Sequence, residues 1–210
     1  MLVQESERIL KEYFGYARFR PLQKEIIDTI LEDQDVLALL PTGGGKSLCY
    51  QVLAMVKNGV CIVVSPLIAL MKNQVAALAQ HNIPAAYLNS TQSAEEQEII
   101  ENKCFNKEIK LLYISPEKLV NETFLNFLKI IQVSMFAIDE AHCISSWGHD
   151  FRPEYGKLHR IKEEFPNKPI MALTATADLV TRQDIVQQLQ IDDCQVFTAP
   201  FDRPNIRLNV

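Results

Sequence analysis

A short glycine-rich segment in the first quarter of the chain carries the residues best suited to chemistry. Residues 41–47 read PTGGGKS and lie between two apolar stretches, DVLALL and LCYQVLAMV. Three consecutive glycines let backbone N–H groups converge on an anion, and the N-terminus of a following helix adds a positive field. Lys46 would reach the β- and γ-phosphates of a nucleotide, and Ser47 would ligate Mg²⁺. The predicted nucleotide contacts are Thr42, Gly43, Gly44, Gly45, Lys46 and Ser47.

The segment departs from the strict phosphate-loop pattern at one position. That pattern has a glycine five residues before Gly45, where this chain has Leu40. The alternative interpretation is a glycine-rich turn that is followed by Lys-Ser through coincidence. The order of strand, turn and helix favours the phosphate loop.

Two carboxylates stand where such a loop needs them. Asp139 and Glu140 directly follow the apolar run VSMFAI, so they come at the end of a buried strand. In open parallel sheets, ligands bind outside the carboxyl ends of the strands. Asp139 would share Mg²⁺ with Ser47, while Glu140 would orient and deprotonate the attacking water. An acidic pair can also serve only a helix dipole, but together with the loop it predicts a catalytic set of Lys46, Asp139, Glu140 and His142.

The elements that would position these residues alternate along the chain. Short runs rich in β-branched residues are separated by stretches of helical period, and several runs are apolar at successive positions, as strands covered on both faces should be. This alternation predicts a three-layer α/β domain with a mainly parallel sheet. The predicted strands are Asp35–Leu40, Val60–Val64, Ala85–Leu88, Leu111–Ile114, Val133–Ile138, Ile170–Leu173 and Gln195–Thr198.

Two helices have clear starting signals. Pro21–Glu32 carries apolar residues on one face, with Pro21 suited to the first turn. Ser93 followed by Glu96 is a capping box, which predicts that another helix begins there.

Composition limits the class of protein. A hydrophobic content of 48% with 22% charged residues indicates an ordinary globular domain. The five cysteines are scattered without a CxxC pair, which suits a reducing compartment. No apolar run approaches the roughly 20 residues that cross a bilayer, so we expect a cytoplasmic protein, nucleoid-associated if bacterial. Because the net charge is −5, any nucleic acid must bind to a local face.

Several segments, taken in order, resemble the RecQ family of ATP-dependent DNA helicases within superfamily 2. The phosphate loop and the sequence DEAH are preceded by FGYARFRPLQ, and SPLIALMKNQ, SPE and ALTATA occur in the expected order. The stretch after DEAH, CISSWGHDFRPEY, is similar to the aromatic-rich loop typical of RecQ proteins. The likeness extends from Phe14 to Asn205. It implies a RecA-like, P-loop motor domain of a 3′–5′ helicase that acts on single-stranded and partly duplex DNA in recombination and repair, with ATP and Mg²⁺ as cofactors.

The resemblance also implies roles for individual residues. Tyr16, Arg20 and Gln23 would frame the adenine, in keeping with the ability of a glutamine amide to pair with N6 and N7 of that base. The residues implied in DNA contact, or in coupling it to ATP, are Ser65, Lys72, Gln74, Trp147, His149, Phe151, Arg152, Thr174 and Thr176.

The resemblance divides the chain into an N-terminal segment with the adenine motif (1–26), an ATP-binding domain (27–195) and an exit segment (196–210). We expect the exit segment to lead to a second RecA-like lobe that these 210 residues do not contain, so that the chain alone binds nucleotide but is nearly inactive. Two other functions stay open. One is a DEAD-box-like RNA helicase, against which His142 and the WGHDFRP sequence argue, and the other is a nucleotide-gated binding module that never hydrolyses ATP.

Overall fold

The computed structural model describes residues 2–145 and 150–199. In these ranges the chain forms one seven-stranded sheet, with the strand order β3-β4-β2-β5-β6-β1-β7 and every neighbouring pair parallel. The predicted three-layer α/β domain with a mainly parallel sheet is confirmed. The strands are β1 (Val36–Leu39), β2 (Val60–Val64), β3 (Ala85–Leu88), β4 (Leu111–Ile114), β5 (Val133–Ile138), β6 (Ile170–Thr174) and β7 (Gln195–Thr198).

Helices cover both faces of the sheet because successive strand residues point to opposite sides. Leu37 and Leu39 belong to one core, and Val36 and Ala38 belong to the other. The first core packs against α5 (Ala94–Phe105), α6 (Pro116–Leu119), α7 (Glu122–Ile130), α8 (Arg160–Glu164) and α9 (Leu179–Leu189). The second packs against α1 (Leu2–Phe14), α2 (Gln23–Leu31), α3 (Lys46–Val56) and α4 (Ile68–Gln80).

The predicted start of α5 is confirmed in detail. The Glu96 N–H donates to Ser93 Oγ at 3.2 Å, and the Ser93 N–H donates to Glu96 Oε2 at 2.8 Å. Both bonds satisfy N–H groups that have no partner inside the helix.

The predicted start of α2 is wrong by two residues. Leu22 has a φ of 69°, in the left-handed region, so the chain turns there and the helix begins only at Gln23. Pro21 therefore lies before the helix instead of in its first turn. The left-handed turn places Gln23 at the first helical position with its side chain only 1% exposed, which matters for the site.

The last strand lies at one edge of the sheet, beside β1. β7 pairs with β1 from Val36↔Gln195 to Leu39↔Thr198, so the sheet continues beyond residue 195 and into the predicted exit segment. Residues 200–210 lie outside the described part of the chain. Within the described ranges, no helix is both long enough and apolar enough to cross a membrane.

Candidate nucleotide site

The carboxyl edge of the sheet carries the predicted chemistry. The chain leaves β1 into the glycine-rich loop and leaves β5 into Asp139 and Glu140. These segments meet around a cleft of about 610 Å³. The structure thus brings the predicted phosphate loop and the predicted acidic pair into one cavity, which is lined by Phe14, Tyr16, Arg18, Arg20, Gln23, Thr42, Gly43, Gly45, Lys46, Ser47, Leu48, Gln51, Leu70, Gln74, Ala77, Leu78, His81, Asp139 and Glu140.

The glycine-rich loop has a backbone that only glycine adopts easily. Gly43 and Gly45 have φ of 78° and 79°, values at which a side chain is strained. A Cβ at Gly45 would also overlap the Gln23 amide. Gly45 immediately precedes α3, so the N-terminal N–H groups of this helix face the cleft. The Lys46 ammonium donates to the Leu40 carbonyl at 3.2 Å.

The three residues predicted to frame an adenine lie beside this loop. Gln23 Nε2 donates to the Gly45 carbonyl at 3.1 Å, and Gln23 Oε1 accepts from the Arg20 N–H at 2.9 Å. The Arg20 guanidinium donates to the Gly43 carbonyl. Tyr16 is 52% exposed in the cleft wall. The Gln23 amide therefore supports the loop, and pairing with a base would require it to exchange one of these bonds.

Asp139 is a buried carboxylate directly after β5. It is 7% exposed, and its backbone carbonyl accepts from the Tyr155 hydroxyl at 3.1 Å. Burial raises the pKa of Asp139 to about 6; the nearby Glu140 raises this pKa further, whereas the Glu140 N–H and Lys46 lower it. A carboxylate and the Ser47 hydroxyl are hard oxygen donors, so this pair fits a divalent cation such as Mg²⁺.

Glu140 has an unusual backbone and a close histidine neighbour. Its φ of 49° is in the left-handed region, where non-glycine residues are uncommon and concentrate at functional sites. His142 Nδ1 lies 3.3 Å from Glu140 Oε2 and 3.0 Å from Thr174 Oγ1, and His142 Nε2 lies 3.6 Å from Asp150 Oδ2. Thr174 Oγ1 in turn donates to the Thr176 carbonyl at 3.0 Å. His142 thus connects the predicted catalytic carboxylate to the end of β6.

The segment after DEAH also contacts the turn after β2. Arg152 Nη1 donates to the Pro66 carbonyl at 3.1 Å, and the Arg152 N–H donates to the Cys143 carbonyl at 3.0 Å. Phe151 is 42% exposed. Trp147 and His149, also predicted to contact DNA, lie outside the described residues.

The comparisons with known proteins agree with this geometry. Residues 20–185 match the DEAD/DEAH box helicase family. The chain belongs to this family. "ATP-dependent DNA helicase RecQ" of Haemophilus influenzae is 50% identical over 95% of this chain, and that of Pasteurella multocida is 51% identical over 98%. The predicted resemblance to the RecQ family is confirmed. The chain covers 32% and 33% of these two relatives, about a third of their length.

Solved structures of two helicases share the fold. The Hef helicase domain of Pyrococcus furiosus superposes with a TM-score of 0.67 at 20% identity, over 89% of this chain and 39% of that chain. The DUF1998 helicase MrfA bound to DNA gives a TM-score of 0.73 at 15% identity, over 93% and 29%. At these identities the likeness supports the architecture alone.

Some predicted DNA residues of this helicase domain lie away from an open surface. Ser65 is 1% exposed. Gln74 lines the nucleotide cleft, where its Oε1 accepts from Gln51 Nε2 at 3.0 Å. Lys72 is exposed on α4, with its ammonium 5.9 Å from the centre of the Tyr87 ring. The predicted DNA contacts of these residues stay predictions.

One wall of the cleft was missing from the predicted site. Leu70, Gln74, Ala77, Leu78 and His81 all line it. They follow one another at helical spacing along α4 and its C-terminal end, so they share one face of that helix. This periodicity is visible in the sequence, but it does not show which ligand or core the face covers.

Proposed function

We propose that this chain is the ATP-binding motor half of a DNA helicase, which couples ATP hydrolysis to movement along single-stranded DNA and, in the full-length protein, to duplex unwinding. The observation that supports this most strongly is the meeting of the phosphate loop, Lys46, Asp139 and Glu140 in one cleft. The relatives named ATP-dependent DNA helicase share about half of the residues. The 3′–5′ direction and a role in recombination and repair follow from that resemblance. We also propose a cytoplasmic location, with an association with the nucleoid if the protein is bacterial.

Positively charged groups in the cleft would attract the phosphates of the nucleotide. Glycine N–H groups and the N-terminus of α3 would accept the phosphates, and Lys46 would exchange the Leu40 carbonyl for the β- and γ-phosphate oxygens. Arg20 and Tyr16 lie on the side of the cleft where the base would bind, since a planar cation and a phenol ring can both stack on a base. ATP is therefore the proposed nucleotide, with Gln23 as the group that distinguishes its base.

Ser47 and Asp139 would hold Mg²⁺, which when bound neutralises charge that develops on the transferred phosphate. Lys46 would add a second positive charge on the same side. Glu140 would orient the attacking water and accept its proton. The left-handed backbone of Glu140 turns the chain away from β5 directly after Asp139, so two adjacent carboxylates can serve two different tasks.

DNA would act on this site through two connections. His142 lies between Glu140 and Thr174, and Arg152 bonds the turn after β2. A DNA strand that contacts the end of β6 or the turn after β2 would shift the position of Glu140 through these bonds. The division of the chain into an adenine-motif segment, a motor domain and a connection to a second lobe belongs to the same proposal.

Competition binding tests the choice of nucleic acid. A labelled single strand of DNA is bound to the chain with a non-hydrolysable ATP analogue and then challenged with unlabelled DNA or RNA of the same sequence. We expect DNA to displace the label at lower concentration. Equal or better displacement by RNA would support an RNA helicase instead, and a lack of any nucleotide binding would remove the motor assignment.

A further inference from the structure

Three buried hydroxyl groups lie below the nucleotide cleft without a hydrogen-bond partner. Tyr50 is 0% exposed, and Tyr113 and Ser65 are each 1% exposed. Among the described residues, no atom forms a hydrogen bond with any of their side-chain oxygens. An unpaired buried hydroxyl is costly, whereas phenylalanine or alanine would fill similar space without that cost. Their presence together therefore indicates that something else binds them.

These residues come from separate elements that converge under Asp139. Tyr50 is on α3, four residues after Lys46 and so on the same face of the helix. Across the sheet, Val63 of β2 pairs with both Tyr113 of β4 and Ala137 of β5. Two residues further along, Ser65 and Asp139 follow the same strands. Because strand side chains alternate with a period of two, Tyr113, Ser65 and Asp139 belong to the sheet face that α3 covers.

The direct neighbours of the phenols include the predicted cation ligands. The two tyrosine rings lie 6.2 Å apart with an angle of 71° between their planes. The Tyr50 hydroxyl is close to those of Ser47 and Tyr113, and the Tyr113 hydroxyl is close to the Gln51 amide, but none of these pairs has the geometry of a hydrogen bond. Both phenols interact electrostatically with the Asp139 carboxylate. The two phenols are thus directly behind Ser47 and Asp139, and Ser65 shares their sheet face; the three hydroxyls are here called the hydroxyl cluster.

We propose that the hydroxyl cluster of Tyr50, Tyr113 and Ser65 binds a buried water and through it positions the Ser47 hydroxyl and the Asp139 carboxylate for Mg²⁺. A buried water typically makes about three hydrogen bonds, and it requires a polar surrounding. Two unpaired phenols beside the Asp139 carboxylate, with the unpaired Ser65 hydroxyl on the same sheet face, provide both. Groups behind metal ligands fix the orientation of those ligands and contribute to metal affinity. This inference rests on the proposed nucleotide site.

The competing explanation is that the hydroxyls are dry and have no role. The two explanations predict opposite results for Tyr→Phe substitution. Removing a dry, unpaired hydroxyl leaves stability unchanged or raises it, because an uncompensated polar group is lost. Removing a hydroxyl that binds the water weakens the binding of that water, and the remaining hydroxyls then lack a hydrogen-bond partner.

The experiment uses Tyr50→Phe, Tyr113→Phe and the double variant. ADP affinity is measured by titration calorimetry at saturating Mg²⁺ and again in EDTA, with thermal unfolding recorded in parallel. We expect the ADP affinity at saturating Mg²⁺ to fall roughly tenfold in the double variant, while the ADP affinity in EDTA stays unchanged. Each single variant should show part of this loss.

Ser134→Ala is the matched control. Ser134 is also a buried hydroxyl with no partner among the described residues, but it lies five residues before Asp139, about 16 Å away along β5 at roughly 3.3 Å per residue. Its substitution should leave the Mg²⁺ dependence of ADP binding unchanged. The control separates a position behind the cation site from the general effect of removing a buried hydroxyl.

The outcomes are distinguishable. Unchanged Mg²⁺ dependence in the Tyr→Phe variants overturns the inference, whether their melting temperatures rise, stay or fall, because a fall alone shows a purely structural role. If the double variant does not fold, the single variants decide. If the unaltered chain binds no ADP, the proposed function fails and this inference fails with it. If the unaltered chain binds ADP with Mg²⁺ and the variants keep the same Mg²⁺ dependence, the inference fails but the proposed function stands.

Discussion

At the scale of single residues, the buried Asp139 carboxylate makes stability depend on pH. The ordinary pKa of this side chain is 3.8, and burial in the folded chain raises it to about 6. The folded state therefore holds the proton more tightly, so folded stability falls as the pH rises from about 4 to about 6, and the full penalty is present above that window. The difference between the two pKa values corresponds to about 3 kcal/mol.

We therefore expect Asp139→Asn to be more stable than the unaltered chain at pH 8 without nucleotide, by up to about 3 kcal/mol. The difference should shrink as the pH falls through 6, because the unaltered carboxylate is then protonated. Denaturant unfolding of both chains at several pH values measures this directly. A stability difference that is the same at pH 4.5 and pH 8 would contradict the proposed burial penalty.

Lys46 provides a second prediction at this scale. Lys46→Ala should lower the affinity for ADP and ATP by about tenfold to 100-fold, since hydrogen bonds between charged groups contribute about 1.5–3 kcal/mol. The fold should survive, because within residues 2–145 and 150–199 the ammonium donates only to the Leu40 carbonyl. Lys57→Ala is the matched control: this lysine pairs with Asp33 at 2.7 Å at the other end of α3. Equal nucleotide affinity in both variants would remove Lys46 from the phosphate site.

The chemistry of single residues was easier to predict than their contacts. The glycines, Lys46 and the pair Asp139–Glu140 are recognisable because residue type and spacing determine what they can bind. The bonds of Gln23 to the Gly44 and Gly45 carbonyls could not be predicted, since they depend on how α2 packs against the loop. Gln51, Tyr155 and the two phenols of the hydroxyl cluster were missed because each lies in a buried segment whose sequence indicates only core packing. Ser65 was predicted, but as a DNA contact.

At the scale of elements, the strands were predicted to within about a residue, because strands covered on both faces are short apolar runs between turns. The start of α2 was missed because proline at the first helical turn is the common arrangement, whereas here the left-handed Leu22 delays the helix. That delay has a function in the structure: it brings Gln23 against the phosphate loop.

The contact between α2 and the loop leads to a prediction for Gln23→Ala. We expect the unaltered chain to prefer ATP over GTP by roughly 5- to 150-fold, since a mispaired buried amide costs about 1–3 kcal/mol. The variant should bind both nucleotides more weakly, because the loop loses its support, and should lose most of the preference for ATP. Gln34→Ala, at an exposed position after α2, should change neither the affinities nor the preference. Equal affinity of the unaltered chain for ATP and GTP would refute base recognition by Gln23.

The segment after β5 leads to a prediction about DNA sensing. Trp147 is the only tryptophan of the chain, so its fluorescence reports on this segment alone. Single-stranded DNA should change the signal, with an affinity that falls as salt increases. Arg152→Ala should reduce the change at saturating DNA, because it removes the bond to the Pro66 carbonyl. Lys129→Ala, which removes an equal charge from α7, is the control. Bound DNA that leaves Trp147 emission unchanged would exclude the segment from DNA sensing.

At the scale of the whole molecule, the described residues form one wall of the proposed motor site. The phosphate loop, the carboxylates and the base-side residues all come from one sheet edge and its flanking helices. The relatives in Haemophilus influenzae and Pasteurella multocida are about three times as long as this chain, which covers 32% and 33% of them. A second lobe would bring groups to the open side of the cleft, and in related phosphoryl-transfer sites an arginine supplied there raises the rate by about 10³–10⁵.

The final prediction follows from that arrangement: residues 1–210 alone should bind nucleotide, hydrolyse it slowly and unwind nothing. Arg20 does line the cleft, but its guanidinium is bonded to the Gly43 carbonyl, so it does not substitute for a group brought in by closure. Movement along DNA also needs two DNA-binding sites, one on each lobe, that bind and release in turn as the cleft opens and closes. The measurement compares DNA-stimulated ATP turnover and strand separation for residues 1–210 and for a longer chain that includes a second lobe, with Glu140→Gln in both to identify turnover at this site. A Glu140-dependent rate in the short chain that equals the rate of the longer chain would show that one lobe is a self-sufficient ATPase and would overturn the two-lobe proposal.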